Sequence, residues 1–176
     1  MEATLEVLNA LLEEGAIERY AIGGAVAAIF WVEPFDTVDL DVFVLLPEPE
    51  HPLDPLRDVV RRLGERGYGF EGDLLVIEGV PVQFIPAEDA TGLRAEALTH
   101  AVEHRYLDRV TTWVLRPEYL IALALDTHRP KDYERVYRLF VEGHADPSSV
   151  AALVERFGLL PFWETFLRRY PEAAAP

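Results

Sequence analysis

Residues 38–46 constrain the fold most, because apolar residues alternate there with two aspartates. Alternation with a period of two predicts a strand that has one apolar face. Asp39 and Asp41 stand two residues apart, so both project from the opposite face. Two neighbouring carboxylates repel each other unless a cation lies between them, and Mg²⁺ prefers such oxygen ligands. The pattern indicates a magnesium site, and a solvent-facing amphipathic strand is the alternative.

Two adjacent glycines, Gly23 and Gly24, lie between a short apolar run at 20–22 and a predicted helix at 25–31. Backbone amides at a turn into a helix point outward and can bind a phosphate. A glycine pair alone is equally typical of an ordinary turn. Together with the acidic strand it is more specific, because one ligand could engage both. A triphosphate on the amides would place its Mg²⁺ at Asp39 and Asp41.

Hydrophobic periodicity and turn residues divide the chain into a mixed α/β part and a helical part. Strands are predicted at 20–22, 38–46, 74–77, 80–85 and 106–115, the third and fourth forming a hairpin around Glu78-Gly79. Helices are predicted at 2–14, 25–31, 56–66, 93–103, 117–125, 131–142, 148–157 and 161–169. The fold class is therefore α/β (α+β), with an α/β domain over residues 1–116 and a C-terminal helical subdomain over residues 117–176.

Composition limits the possible partners and the compartment. Lys and Arg number 16 against 31 Asp and Glu, and the net charge of -15 excludes general DNA or RNA coating, although not a local basic patch. The chain has no cysteine, no cationic leader, and no apolar run of the ~18 residues that a membrane helix needs. We therefore expect a cytoplasmic protein that does not bind membranes.

Rare residue types carry further information. The chain has one Lys, one Asn, one Gln and one Met, against 15 Arg. Scarcity of thermolabile residues is typical of heat-adapted proteins, although GC-rich coding also favours Arg over Lys. The single lysine, Lys131, is a compact charge suited to phosphate, and Arg129 stands beside it. The alternative is a surface lysine paired with Asp132 or Glu134; Asp132 could equally orient Lys131 or Arg129.

Two stretches resemble the nucleotidyltransferase fold, which is related to DNA polymerase β. Residues 21–25 and 37–44 match its hydrophobic-Gly-Gly/Ser turn, helix and Asp-x-Asp strand. Residues 117–123, followed by Arg129-Pro130-Lys131-Asp132, look like its helical motif ending in Arg-x-Lys-Asp. The resemblance covers about residues 18–140. It points to small bacterial nucleotidyltransferase-like proteins, including the AbiEii-type toxins of toxin–antitoxin systems.

This resemblance implies a mixed sheet with flanking helices that binds a nucleoside triphosphate (NTP) with Mg²⁺. The residues implied to bind the nucleotide are Gly23, Gly24, Thr37, Arg129, Lys131 and Asp132. The implied catalytic group is Asp39, Asp41 and Gln83, of which the two aspartates would bind the metal.

Gln83 departs from the family pattern, because active members place a third carboxylate at the position we align with it. An amide cannot act as a general base, although its carbonyl can ligate Mg²⁺ weakly. Two functions therefore stay open. One is an enzyme that transfers a nucleotide to a protein or RNA acceptor. The other is a lapsed enzyme that serves as a nucleotide-binding or protein-interaction module.

A competing motif occurs at residues 100–104, where His100-Ala101-Val102-Glu103-His104 matches the His-x-x-Glu-His pattern of certain zinc peptidases. On one helix the two histidines would share a face and could bind Zn²⁺. A third ligand at a suitable spacing is lacking. The alternative is a solvated helix end with two exposed histidines.

Overall fold

A single mixed sheet organises the computed structural model, which describes residues 1–32, 39–48, 51, 53–127, 129 and 132–174. Within these residues its strands are β1 (Arg19–Ile22), β2 (Leu40–Leu45), β3 (Gly69–Glu71), β4 (Leu74–Ile77), β5 (Val80–Pro86), β6 (Val102–Tyr106) and β7 (Val110–Val114). Their order across the sheet is β3-β4-β5-β2-β1-β7-β6. The central strand β2 pairs antiparallel with β1 and parallel with β5.

The helices of the described chain are α1 (Glu2–Glu13), α2 (Gly24–Ala28), α3 (Arg57–Glu65), α4 (Leu93–Thr99), α5 (Pro117–Thr127), α6 (Asp132–Val141), α7 (Pro147–Arg156) and α8 (Leu160–Arg169), with a 3₁₀ turn at Pro171–Ala174. Helix α1 packs against β1 and β7, whereas α2 and α4 both pack against β2. One face of β2, formed by Leu40, Val42 and Val44, is completely buried. The other face carries Asp41 and Phe43, which lie against the start of α2.

Helix α5 connects the sheet to the C-terminal helices. Eight of its eleven residues are buried, so it is apolar on nearly all sides, as expected of a helix in the middle of a core. It contacts α2, α4, α6, α7 and α8. The predicted α/β class with a mixed sheet and C-terminal helices is confirmed. That residues 1–116 and 117–176 form separate units stays a prediction.

Two predicted elements differ from the structure, and one strand was not predicted. The helix expected at 93–103 ends at Thr99, and the strand expected at 106–115 is a hairpin of β6 and β7. The hairpin turn uses Leu107 and Asp108 at φ 49° and 57°, where glycine or asparagine is usual, so the sequence does not reveal it. Strand β3 was not predicted, because its three residues are all exposed and include Gly69.

The predicted hairpin of β4 and β5 is confirmed, with Glu78 and Gly79 both at positive φ in its turn. Among the described residues, no helix is long and apolar enough to cross a membrane.

A buried tyrosine ties the N-terminal helix to the sheet. Tyr20 on β1 donates a hydrogen bond to Asn9 Oδ1 on α1 at 2.8 Å, and its hydroxyl lies 3.3 Å from Thr112 Oγ1 on β7. Asn9 Nδ2 in turn donates to the carbonyl of Thr111 at 2.9 Å. Burial raises the pKa of Tyr20 to about 12, and the hydrogen bond with Thr112 opposes that rise.

Substituting Tyr20→Phe tests this network. Near neutral pH the free energy of unfolding of the variant should be about 1–3 kcal/mol lower than that of the wild type, because Asn9 loses its buried hydrogen-bond partner. The pKa of Tyr20 in the folded protein exceeds the unfolded value of 10. The contribution of Tyr20 to stability is therefore complete below pH 10 and is lost as pH rises toward 12. Urea unfolding should therefore show the gap between wild type and variant narrowing over that range. A gap that does not depend on pH would contradict this account.

Candidate functional site

The parallel register of β2 with β5 places an acid beside the single glutamine. Asp41 lies opposite Gln83, and the preceding residues Leu40 and Val82 are paired and buried. Because side chains alternate along a strand, Asp41 and Gln83 project from the same face of the sheet. Asp39 is half-buried just before β2. The structure thus brings these three predicted residues to one part of the molecule.

That face of the sheet forms the floor of a cleft of about 500 Å³, with walls from α4, α5 and α6. Asp41 and Gln83 belong to the floor, and Arg94 of α4 reaches the cleft from one wall. The remaining charged residues of the lining are Asp126, Arg129, Asp132 and Arg135. Phe43, Ile85, Leu120 and Leu123 supply an apolar part. Acidic, basic and apolar groups therefore share one cavity, as in small-molecule sites generally.

Gly24 is required by its conformation and by its surroundings. It has φ +59°, and a Cβ at this position would lie 1.7 Å from Asp41 Oδ2. The amide of the neighbouring Gly23 donates to the carbonyl of Asp41 at 2.9 Å. The glycine turn therefore lets the backbone contact the Asp41 carboxylate closely, which restricts the position of that side chain.

The charge of Asp41 is poorly stabilised where it stands. Burial raises the pKa of the Asp41 carboxyl, and the charge of Asp39 raises it further. The guanidinium groups of Arg135 and Arg129 oppose this shift. A cation bound at the two aspartates would stabilise their charged forms in the same way.

Asp132 holds two arginines at the cleft. Its side chain is fully buried, and it accepts hydrogen bonds from Arg129 Nε at 2.8 Å and from Thr127 Oγ1 at 2.9 Å. Arg135 Nη2 lies 3.3 Å from the other carboxylate oxygen. Sequence reasoning identified Arg129 and Asp132 and missed Arg135 and Arg94. The signal that was available for Arg135 is its position three residues after Asp132 on a helix.

Two predicted nucleotide-binding residues, Thr37 and Lys131, lie outside the described residues. Their roles stay predictions.

The zinc-peptidase alternative is wrong. His100 follows the end of α4 and His104 lies on β6, so the two do not share a helix face. His100 stacks on Tyr119, and His104 packs against Phe30 and Trp31. Nor does any group of three or more His, Cys, Asp or Glu side chains in the described chain form a metal cage.

The donor set of the cleft fits one magnesium ion. Mg²⁺ is usually bound through one or two carboxylates, with water and substrate phosphates completing its ligands. Asp41 and Gln83 offer a carboxylate and an amide oxygen on the cleft floor. Half-buried Asp39, which lies two residues before Asp41 and interacts with it electrostatically, would offer the second carboxylate. Burial and the charge of Asp39 raise the pKa of Asp41, and a bound cation would oppose that rise. A third carboxylate, which a second ion would need, does not join this group among the described residues.

Comparisons with known proteins give a fold and no close relative. No protein-family model and no curated protein matches the chain. An antigenic nucleotidyltransferase-like protein from Paracoccidioides brasiliensis superposes with a TM-score of 0.62 at 12% identity, covering 98% of this chain and 89% of its own. The antibiotic-resistance factor ANT(2'')-Ia in solution gives a TM-score of 0.46 at 16% identity, covering 94% and 99% of the two chains. Its complex with adenylyl-2''-tobramycin gives 0.44 at 18% identity, covering 94% and 98%. On the first of these likenesses, the chain has a nucleotidyltransferase-like fold.

Proposed function

We propose that the protein binds the magnesium complex of an NTP in the cleft above β2 and β5 and transfers its nucleotidyl group to a protein or RNA acceptor. One observation carries the proposal. On a nucleotidyltransferase-like fold, the Gly24 turn contacts the Asp41 carboxylate. Both face Arg129 and Arg135 across one cleft. A polyphosphate that carries a cation would complement both sides of that cavity.

The residues divide into two groups in this proposal. Asp39 and Asp41 would hold the ion, which neutralises charge on the reacting phosphate when bound. Arg129, held by Asp132, supplies positive charge for the phosphate chain. Gly23 and Gly24 allow close approach of the backbone, and Lys131 and Thr37 join the nucleotide site by resemblance alone.

In the transfer step, an acceptor oxygen forms a bond to the α-phosphorus as the bond from that phosphorus to the β-bridging oxygen breaks. Pyrophosphate leaves with the electron pair of the broken bond, and the acceptor loses a proton. Gln83 cannot take this proton, because a neutral amide is not a base. The protein thus has no base at this position, so transfer by the native protein should be slow.

Gln83 also favours a second candidate function, in which the cleft binds a nucleotide without turning it over. Gln83 stands beside Asp41, where a third carboxylate would complete the acidic group. In that case the protein acts as a nucleotide-responsive interaction module.

Several finer features rest on resemblance or composition alone. A role in a toxin–antitoxin system follows only from the likeness to AbiEii-type toxins. Cytoplasmic location and heat adaptation rest on residue usage, and the net charge of -15 disfavours free RNA as a tightly bound acceptor.

The acid pair can be tested by ligand-induced thermal stabilisation. Magnesium with an NTP at ~100 times its dissociation constant should stabilise the wild type by about 2.7 kcal/mol. Replacing both Asp39 and Asp41 by Asn should abolish this shift, because the carboxylates assigned to the ion are gone. A control with Asp73→Asn and Asp108→Asn removes two exposed acids from hairpin turns and should keep the shift. A full shift in the Asp39/Asp41 variant would rule out the assigned metal site.

Gln83→Glu separates the two candidate functions. The new carboxylate would add a base and a metal ligand beside Asp41, so Mg²⁺ should bind more tightly and transfer should become faster. Without metal the variant should melt at a lower temperature, because three carboxylates then crowd one face. Transfer of label from α-labelled NTP to cell extract measures the activity, and Gln83→Asn is the neutral control. Robust transfer by the unmodified protein would show that another group acts as the base.

Gly24→Ala tests the contact between the glycine turn and the acid. Gly15 provides a matched comparison, because it has φ +68° with open space around its Cα, whereas a Cβ at Gly24 meets Asp41. Gly15→Ala should cost about 1–2 kcal/mol for the left-handed backbone alone. Gly24→Ala should cost more and should also weaken binding of Mg²⁺-NTP, as measured by calorimetry. Equal costs with intact binding would mean that Asp41 moves freely and that the contact is not needed.

A further inference from the structure

Arg135 is a buried cation in the wall of the cleft. Its side chain is only 15% exposed, and it projects from α6 into the lining that also contains Asp41. Burial lowers the pKa of Arg135, with opposition from the charges of Asp132 and Asp41. An arginine nevertheless stays charged in a protein. A buried charge is costly unless partners satisfy it, so the partners of this guanidinium are informative.

These partners leave much of the guanidinium unused. The ion pair with Asp132 has a separation of 3.3 Å. Arg135 Nε and Asp132 Oδ1 are both buried without a hydrogen-bond partner among the described residues. Asp132 is also shared, because its other oxygen already accepts from Arg129 and Thr127. One carboxylate thus serves two guanidiniums, and the Nε–H donor of Arg135 has no acceptor among the described residues.

The groups across the cavity make an anion with its own cation the natural ligand. Asp41 and Asp39 interact electrostatically with Arg135 across the site. A simple anion would be repelled by those acids, whereas a metal-bound phosphate chain presents a cation to the acids and oxygens to the arginines. The planar fork of a guanidinium binds phosphate oxygens through two parallel hydrogen bonds, which a lysine ammonium does not do.

We propose that Arg135 binds the phosphate chain in this cleft, together with Arg129, and that buried Asp132 is the positioning residue that holds both guanidiniums. The inference deepens the proposed function and shares with it the premise that a phosphate chain enters the cleft. It assigns recognition of the chain to α6 and makes affinity depend on the number of phosphates. A purely structural Arg135 would serve only as a counter-ion to Asp132 and Asp41.

The test measures binding by isothermal titration calorimetry to the full chain. The probes are the magnesium complexes of tripolyphosphate and of ATP, GTP, CTP and UTP, with the mono- and diphosphates of whichever nucleotide binds. The variants are Arg135→Gln and Arg135→Lys. Arg138→Gln is the matched control, because Arg138 lies on the same helix, pairs with Glu134 at 2.8 Å and is outside the cleft lining.

Arg135→Gln should bind magnesium tripolyphosphate about 10–150-fold more weakly than wild type, the range expected for a charge-assisted hydrogen bond. The gain in nucleotide affinity from mono- to triphosphate should shrink in parallel, and Arg138→Gln should stay within about twofold. If circular dichroism shows that Arg135→Gln is unfolded, Arg135→Lys decides, because it keeps the charge and loses the fork. Arg135→Lys should also bind magnesium tripolyphosphate more weakly than wild type, with a smaller loss of affinity than the one expected for Arg135→Gln.

Four outcomes separate this inference from the proposed function. Wild-type affinity for tripolyphosphate in the folded Arg135 variant, or no binding of tripolyphosphate by the wild type, overturns the inference. Nucleotide binding that is unaffected by loss of Arg135 overturns it also and leaves the proposed function standing. Tripolyphosphate binding that requires Arg135, without binding of any of the four nucleotides, supports the inference and contradicts the proposed function.

Discussion

The parallel pairing of β2 with β5 is the interaction on which the cleft depends. One face of β2 is completely buried, so the strand cannot shift by one residue without exposing its apolar side chains and burying its acids. In that register Asp41 stands beside Gln83. Gly23 then connects β1 to the same strand through the Asp41 carbonyl, and Gly24 contacts the carboxylate. The position of Asp41 is therefore set from three directions before any ligand binds.

The charges around this floor oppose each other in a way that suits one class of ligand. The chain as a whole is strongly acidic, with a net charge of -15, yet three arginines line the cleft. The fully buried carboxylate of Asp132 pairs with two of them, Arg129 and Arg135. Such an arrangement costs desolvation energy and is weak evidence for stability alone. In the proposed function, the same arrangement prepares a charged surface for a ligand that carries both signs.

Local features of the sequence predicted most elements, whereas the assembly of the site depends on contacts that no local pattern reveals. The strand over 38–46 and the hairpin at Glu78-Gly79 follow from periodicity and turn residues. The neighbourhood of Asp41 and Gln83 depends on a parallel pairing between distant strands, and only the family resemblance suggested it. Arg135 was missed because spacing relates it to Asp132 and says nothing of how α6 packs against α5 and α2. The His100–His104 motif misled because the helix ends one residue earlier, at Thr99.

The central claim is that one cleft holds a metal on the acid pair and a phosphate chain on the arginines. A crystal structure with Mn²⁺ and a non-hydrolysable NTP analogue tests it most directly, since Mn²⁺ takes the same oxygen ligands as Mg²⁺ and gives an anomalous signal. The account predicts one anomalous peak bound by Asp39 and Asp41, with the phosphates extending from it toward Arg129 and Arg135. A nucleotide bound elsewhere on the molecule, or a metal with no contact to either aspartate, would contradict it.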